Sequence, residues 1–173
     1  MEQSFSGKAT SFNGAAETYD KMRPGYVPEL YREIFRYRPV TTQSKVLEIG
    51  VGTGQATRPI LETGCTLTAV EPGDKLAHTC EEKFRAYPNF SVENTTFEAF
   101  SPPEGSFDLI FAATSFHWVL TEVGYPKVLR LFEARRGLCP FCQPAPAPAR
   151  PPQRRHPGPL QYLYAPRRVP KAL

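Results

Sequence analysis

Val46 to Thr57 reads VLEIGVGTGQAT, and its acid and glycines are spaced for ligand chemistry. Glu48 precedes Gly50, Gly52 and Gly54 in an E-x-G-x-G-x-G pattern at the end of a short apolar run. Glycine lets a backbone turn sharply and lets a ligand approach it closely. A helix that starts behind such a turn offers unbonded N–H groups. Glu71 follows Gly50 by 21 residues, at the end of the next apolar run. An acid there suits the two hydroxyls of a ribose. The spacing departs from the G-x-G-x-x-G dinucleotide fingerprint, and a carboxylate at Glu48 sits badly beside a pyrophosphate. It suits a ligand with a positive charge, such as an amino-acid ammonium or a sulfonium. Both features disfavour an NAD(P)-dependent oxidoreductase. The plain alternative is a Gly-rich strand-to-helix turn that holds nothing.

Two further groups have reactive side chains. His117 leaves an apolar run at its carboxyl end, where open α/β sheets bind ligands. Imidazole trades protons near neutral pH, so His117 is a candidate general base for an acceptor O–H or N–H. The alternative is a histidine that packs beside Trp118. Cys139 and Cys142 form a Cys-x-x-Cys pair. As a redox site it needs a helix behind the first thiol, and QPAPAPARPP forbids one. As a zinc site it is half of a ligand set.

Strand and helix patterns alternate along the elements that must position these residues. PELYREIFRYR, DKLAHTCEEKFRAY with Asp74 as N-cap, and TEVGYPKVLRLFEA after Pro126 read as helices. Another helix follows the Gly-rich turn and stops at Gly64. FSGKATSFNGAAETYD carries a weaker helical spacing. KVLEIG, TLTAVEP, NFSVENTTF and FDLIFAAT read as strands, the first nearly continuous in apolar residues. The alternation predicts an α/β fold with a parallel sheet.

Composition bounds the function classes. Residues 1–134 hold 13 Lys+Arg against 17 Asp+Glu, whereas residues 135–173 hold 8 Lys+Arg and no acid. The acidic globular part does not support a basic face for specific nucleic-acid binding. No apolar run reaches the length of a membrane span, and MEQSFSGKAT has no apolar export signal. The expectation is a cytoplasmic protein with reduced thiols, no resident metal and no membrane partner.

Four stretches in order resemble the class I S-adenosylmethionine-dependent methyltransferases, of the broad type 11 kind that includes trans-aconitate methyltransferase. VLEIGVGTGQAT is similar to their first motif, and AVEPG to the ribose-binding acid after the second strand. EGSFDLIFAATSFHWV is similar to the fourth strand and its exit. FNGAAETYDKMRPGYVPEL is similar to an N-terminal cap of the form F-x-x-x-A-x-x-Y-D-x-x-R-P-x-Y. The resemblance covers about residues 10–134 and implies a Rossmann-like sheet whose complete form has seven strands. It implies S-adenosyl-L-methionine as cofactor and an unidentified small-molecule methyl acceptor. Gly50, Gly52 and Gly54 would line the methionine and ribose, Glu48 would orient the ammonium through water, and Glu71 would take the ribose hydroxyls. Thr96 stands where the family usually has an Asp for the adenine amine, so Phe97 and Glu98 are the substitutes. Tyr19 and Arg23 of the cap would close over the ligand.

After residue 134 the resemblance stops. Residues 137–173 contain ten Pro and no acid, which predicts a disordered tail. Its PxxP at Pro148 to Pro151 and its basic charge leave open a binding protein that acts through the tail. Another reading is a change of frame. Codons can be chosen for Leu138 to Pro144 that, read one base later, give Phe-Ala-Leu-Phe-Ala-Asn, the strand the family has there. The expected organisation is a cap over residues 1–40, a ligand-binding half-domain over 41–136 and an out-of-frame tail over 137–173. On that reading the sheet has about four of seven strands and the chain is truncated, with transfer impaired or reduced to ligand binding alone.

Overall fold

A computed structural model of the chain describes residues 25–132 and 138–141. Helix α1, Pro28–Tyr37, opens on a proline whose missing N–H costs a helix nothing in its first turn. It leads into β1, Lys45–Ile49, then α2, Thr57–Leu61, and β2, Thr66–Val70. Helix α3, Asp74–Phe84, precedes β3, Phe90–Glu93, and β4, Leu109–Ala113. A single 3-10 turn over Phe116–Trp118 leads into α4, Thr121–Leu131, and β5 follows at Leu138–Phe141. All pairings are parallel, in the order β3-β2-β1-β4-β5.

The apolar run of β1 is explained by its place in the middle. Val46, Leu47 and Glu48 pair with β2 on one side and β4 on the other, so both faces of the strand are covered. On one face Val46, Leu67, Ala69, Leu109 and Phe111 meet Tyr31 and Ile34 of α1, Ile60 of α2, and Cys80 and Phe84 of α3. On the other, Leu47, Ile49, Ile110 and Ala112 meet Val128 and Leu131 of α4. The chain changes sides between β3 and β4, so the strand order reverses between β1 and β4. Open α/β sheets bind ligands at such a switch point.

Four sequence expectations need correction. Among the described residues the sheet has five strands, because Leu138–Phe141 pairs with Ile110–Ala113 where a tail was expected from residue 137. The edge of β4 presents a row of unpaired backbone groups, and a mostly apolar tetrapeptide meets it. Pro140 lacks an N–H, which the border strand of a sheet tolerates. Helix α4 begins before Pro126, at Thr121. A proline at that point removes only the bond that the Glu122 carbonyl would accept. Gly73, not Asp74, precedes α3, and its carbonyl accepts the Ala77 N–H at 2.8 Å. The strand expected within NFSVENTTF is confined to four residues, Phe90–Glu93. The helical spacing over residues 5–20, Tyr19, Arg23, Cys142 and the remainder of the expected tail lie outside the described residues.

Candidate functional site

The site grows from the ends of β1, β2 and β4. Beyond Ile49 the chain turns through Gly50, Gly52 and Gly54, at φ 67, 59 and 80. This is the left-handed region that glycine enters without steric cost. Packing explains two of the three. A Cβ on Gly50 would lie 2.6 Å from the Ser115 Cβ, and one on Gly54 would run into the Phe84 ring, with the Cys80 Sγ at 3.2 Å. Gly50 therefore admits the exit of β4, and Gly54 admits α3. The Gly50 and Val51 N–H groups both reach the Val70 carbonyl, at 2.8 and 3.3 Å, so the loop is tied to the end of β2.

Glu71 completes that tie. Its Oε2 accepts the Gly52 N–H and its Oε1 the Gly73 N–H, both at 2.9 Å. The residue is 5% exposed. Burial pushes its carboxyl up, and the two N–H donors pull it back toward the ionised form. An ionised carboxylate has about four acceptor positions, so two remain for a ligand. The Asn94 Nδ2 donates to the Glu71 carbonyl at 2.8 Å and fixes the backbone beneath the acid.

Glu48 has a different setting. It shares a sheet face with Ala69 and Phe111 and is 1% exposed. The fully buried Thr57 hydroxyl donates to its Oε2 at 2.8 Å. Burial pushes the carboxyl up to about 8, against the pull of the Thr57 bond and helped by the charge on Glu71. At neutral pH it is mostly a neutral acid under the loop, bonded to the first residue of α2. Thr57 ends the VLEIGVGTGQAT stretch, but nothing in its spacing marks it as the partner of Glu48.

The other candidates spread around this centre. Phe97 is 3% exposed and faces the core beside α4, with the Lys127 ammonium 5.2 Å from its ring centre. Burial lowers the affinity of Lys127 for its proton. The Glu98 Oε1 accepts the Leu120 N–H at 2.9 Å, at the start of α4. Both side chains are thus engaged with α4, while Thr96 is exposed. His117 is exposed in the 3-10 turn, its ring 4.7 Å from that of Trp118. At the exit of β4, Thr114 has φ 61, and the Tyr26 and Thr114 hydroxyls are 2.6 Å apart. Tyr26 closes the R-P-x-Y end of the cap motif, the one signal in the sequence that pointed to it. Among the described residues no three metal-ligating side chains cluster, and no helix is long and apolar enough to cross a membrane.

The sequence profile described as "Methyltransferase domain" matches residues 46–138, more than half of the chain. The chain belongs to the methyltransferase domain family. The match begins in β1 and ends on the first residue of β5. An uncharacterized methyltransferase of Geobacillus sp. is 34% identical over 118 residues, covering 64% of this chain and 54% of that protein. The chain spans about half the length of the curated relatives it matches. A solved S-adenosylmethionine-dependent methyltransferase of Aquifex aeolicus superposes with a TM-score of 0.58 at 18% identity, over 66% of this chain and 63% of that one. Phosphoethanolamine N-methyltransferase 1 of Haemonchus contortus, solved with S-adenosylhomocysteine, gives 0.64 at 18% identity, over 78% and 30%. These likenesses establish a Rossmann-like methyltransferase fold.

S-adenosylmethionine is the cofactor of this family, and the residues present fit it. The loop backbone is bent by three left-handed glycines, and the buried Glu71 carboxylate stands beside it with acceptor positions to spare. The adenine side fits less closely, because Phe97 and Glu98 are turned toward α4.

Proposed function

We propose that this methyltransferase domain binds S-adenosylmethionine at the ends of β1 and β2 and serves methyl transfer to a small molecule. The observation that carries the reading is the Glu71 carboxylate, buried and already bonded to the amides of Gly52 and Gly73. When bound, the cofactor supplies an electrophilic methyl group on a sulfonium. The chain's own work is to bind, orient and exclude water. Gly50, Gly52 and Gly54 give the methionine and ribose a backbone they can approach closely. The remaining lone pairs of Glu71 accept the ribose hydroxyls. Glu48 acts from beneath the loop, where a cation bound above it would draw its carboxyl back toward the ionised form. Phe97 backs the adenine wall from within the core, and Glu98 fixes where α4 begins. His117 takes the proton that the acceptor loses.

Residues 142–173 carry no strand pattern by composition, so transfer is impaired relative to cofactor binding. An inactive S-adenosylmethionine-binding chain is the limiting form of this reading.

Calorimetry with S-adenosylhomocysteine and with NAD tests the proposal. The homocysteine ligand binds more tightly, and Glu71→Ala weakens it by about 1.5–3 kcal/mol, the scale of bonds to a charged acceptor. Equal or tighter binding of NAD rejects the reading. His117→Ala leaves that affinity unchanged. A chain whose codons from residue 138 are read one base later transfers methyl groups faster than this one; equal rates would reject the impairment.

A further inference from the structure

Away from the carboxylates, one pair of hydroxyls bridges the cap segment and the exit of β4. The Tyr26 hydroxyl lies 2.6 Å from the Thr114 Oγ1, across 88 residues of sequence. Among the described residues Thr114 is the one non-glycine with a positive φ, at 61. A β-branched side chain crowds its own backbone in that conformation, which persists only where the surroundings hold it.

Three contacts act as holds. Tyr26 engages the Thr114 side chain. The next residue, Ser115, donates from Oγ to the Ile49 carbonyl at the end of β1. The Ser115 Cβ also lies 2.6 Å from where a Cβ on Gly50 would stand, so the β4 exit rests directly on the glycine loop. The Ser115 carbonyl in turn accepts the Trp118 N–H at 3.0 Å and starts the 3-10 turn that carries His117. The wall of the crevice between β1 and β4 is therefore shaped by a strained residue that the cap grips from the other side.

We infer that Tyr26 and Thr114 form a latch, a pair of positioning residues that hold the exit of β4 against the Gly50 loop and so set the width of the ligand crevice. The ligand it serves rests on the methyltransferase reading; the latch itself does not. Trp118 is the only tryptophan of the chain and stands four residues beyond Thr114, so its fluorescence reports on this wall.

The test compares Tyr26→Phe, Thr114→Val, the two combined, and Thr114→Ser in the full chain. In the absence of ligand, acrylamide quenching of Trp118 rises in the first two, equals theirs in the double variant, and stays at the parent value in Thr114→Ser. Affinity for S-adenosylhomocysteine falls about tenfold in each of the first two, the scale of one hydrogen bond. It falls no further in the double variant and is retained by Thr114→Ser. Effects that multiply in the double variant overturn the latch, as does a Thr114→Ser chain that behaves like Thr114→Val, or quenching alike in all five proteins. If no chain binds S-adenosylhomocysteine, the ligand reading fails, and the quenching series alone decides the latch.

Discussion

At the scale of single residues, Glu48 makes the sharpest demand on solution conditions. Its carboxyl is raised from an ordinary 4.5 to about 8 by burial. The folded chain therefore keeps a proton that the unfolded chain has released above about 4.5. Stability from that proton is fully present below the unfolded value and is lost as pH rises through about 8. Urea unfolding of the ligand-free chain shows stability falling between about pH 5 and about pH 8, and Glu48→Gln flattens that slope. A slope unchanged by the substitution would mean that Glu48 does not carry it. Gly54 makes a steric demand instead. Gly54→Ala costs about 2–4 kcal/mol, because it combines a left-handed backbone with a collision against Phe84. Adding Phe84→Leu returns part of the loss in the same measurement. The spacing of Glu48, the three glycines and Glu71 was legible in the sequence because it lies within 24 residues of chain. The Thr57 bond to Glu48 was not, because it depends on how α2 begins. The Tyr26–Thr114 pair was illegible for a stronger reason, since only the closed fold brings its members together.

At the scale of elements, periodicity identified β1, β2, β4, α1 and α3, each strongly apolar on the faces that the structure buries. It misjudged two elements through proline. Pro126 suggested a later start for α4, yet one lost bond does not stop a helix whose Val128 and Leu131 are anchored in the core. Pro140 helped make Leu138–Phe141 read as tail, yet a strand that pairs with one neighbour can leave a donor out. Pairing across the sheet outweighed local propensity, as it does for strands in general. A chain that ends at Gly137 tests this. It leaves the edge of β4 bare, and light scattering at matched concentration shows faster association than in the full chain. Equal scattering would mean that β5 does not protect that edge.

Across the whole molecule, the five strands do not share the same obligations. The central strand β1 is boxed in by two neighbours and two layers of helices, and it must also end in a glycine turn and present Glu48 to Thr57. Its sequence has little freedom. Among the described residues β5 has one partner strand and four residues, and even a proline is admitted. Replaceability therefore increases from the middle of the sheet outward. A random-substitution library scored for folding would keep few changes over residues 45–54 and many over 138–141. On the evolutionary timescale, such outer strands are where a lineage can exchange sequence while the centre of the sheet stays intact.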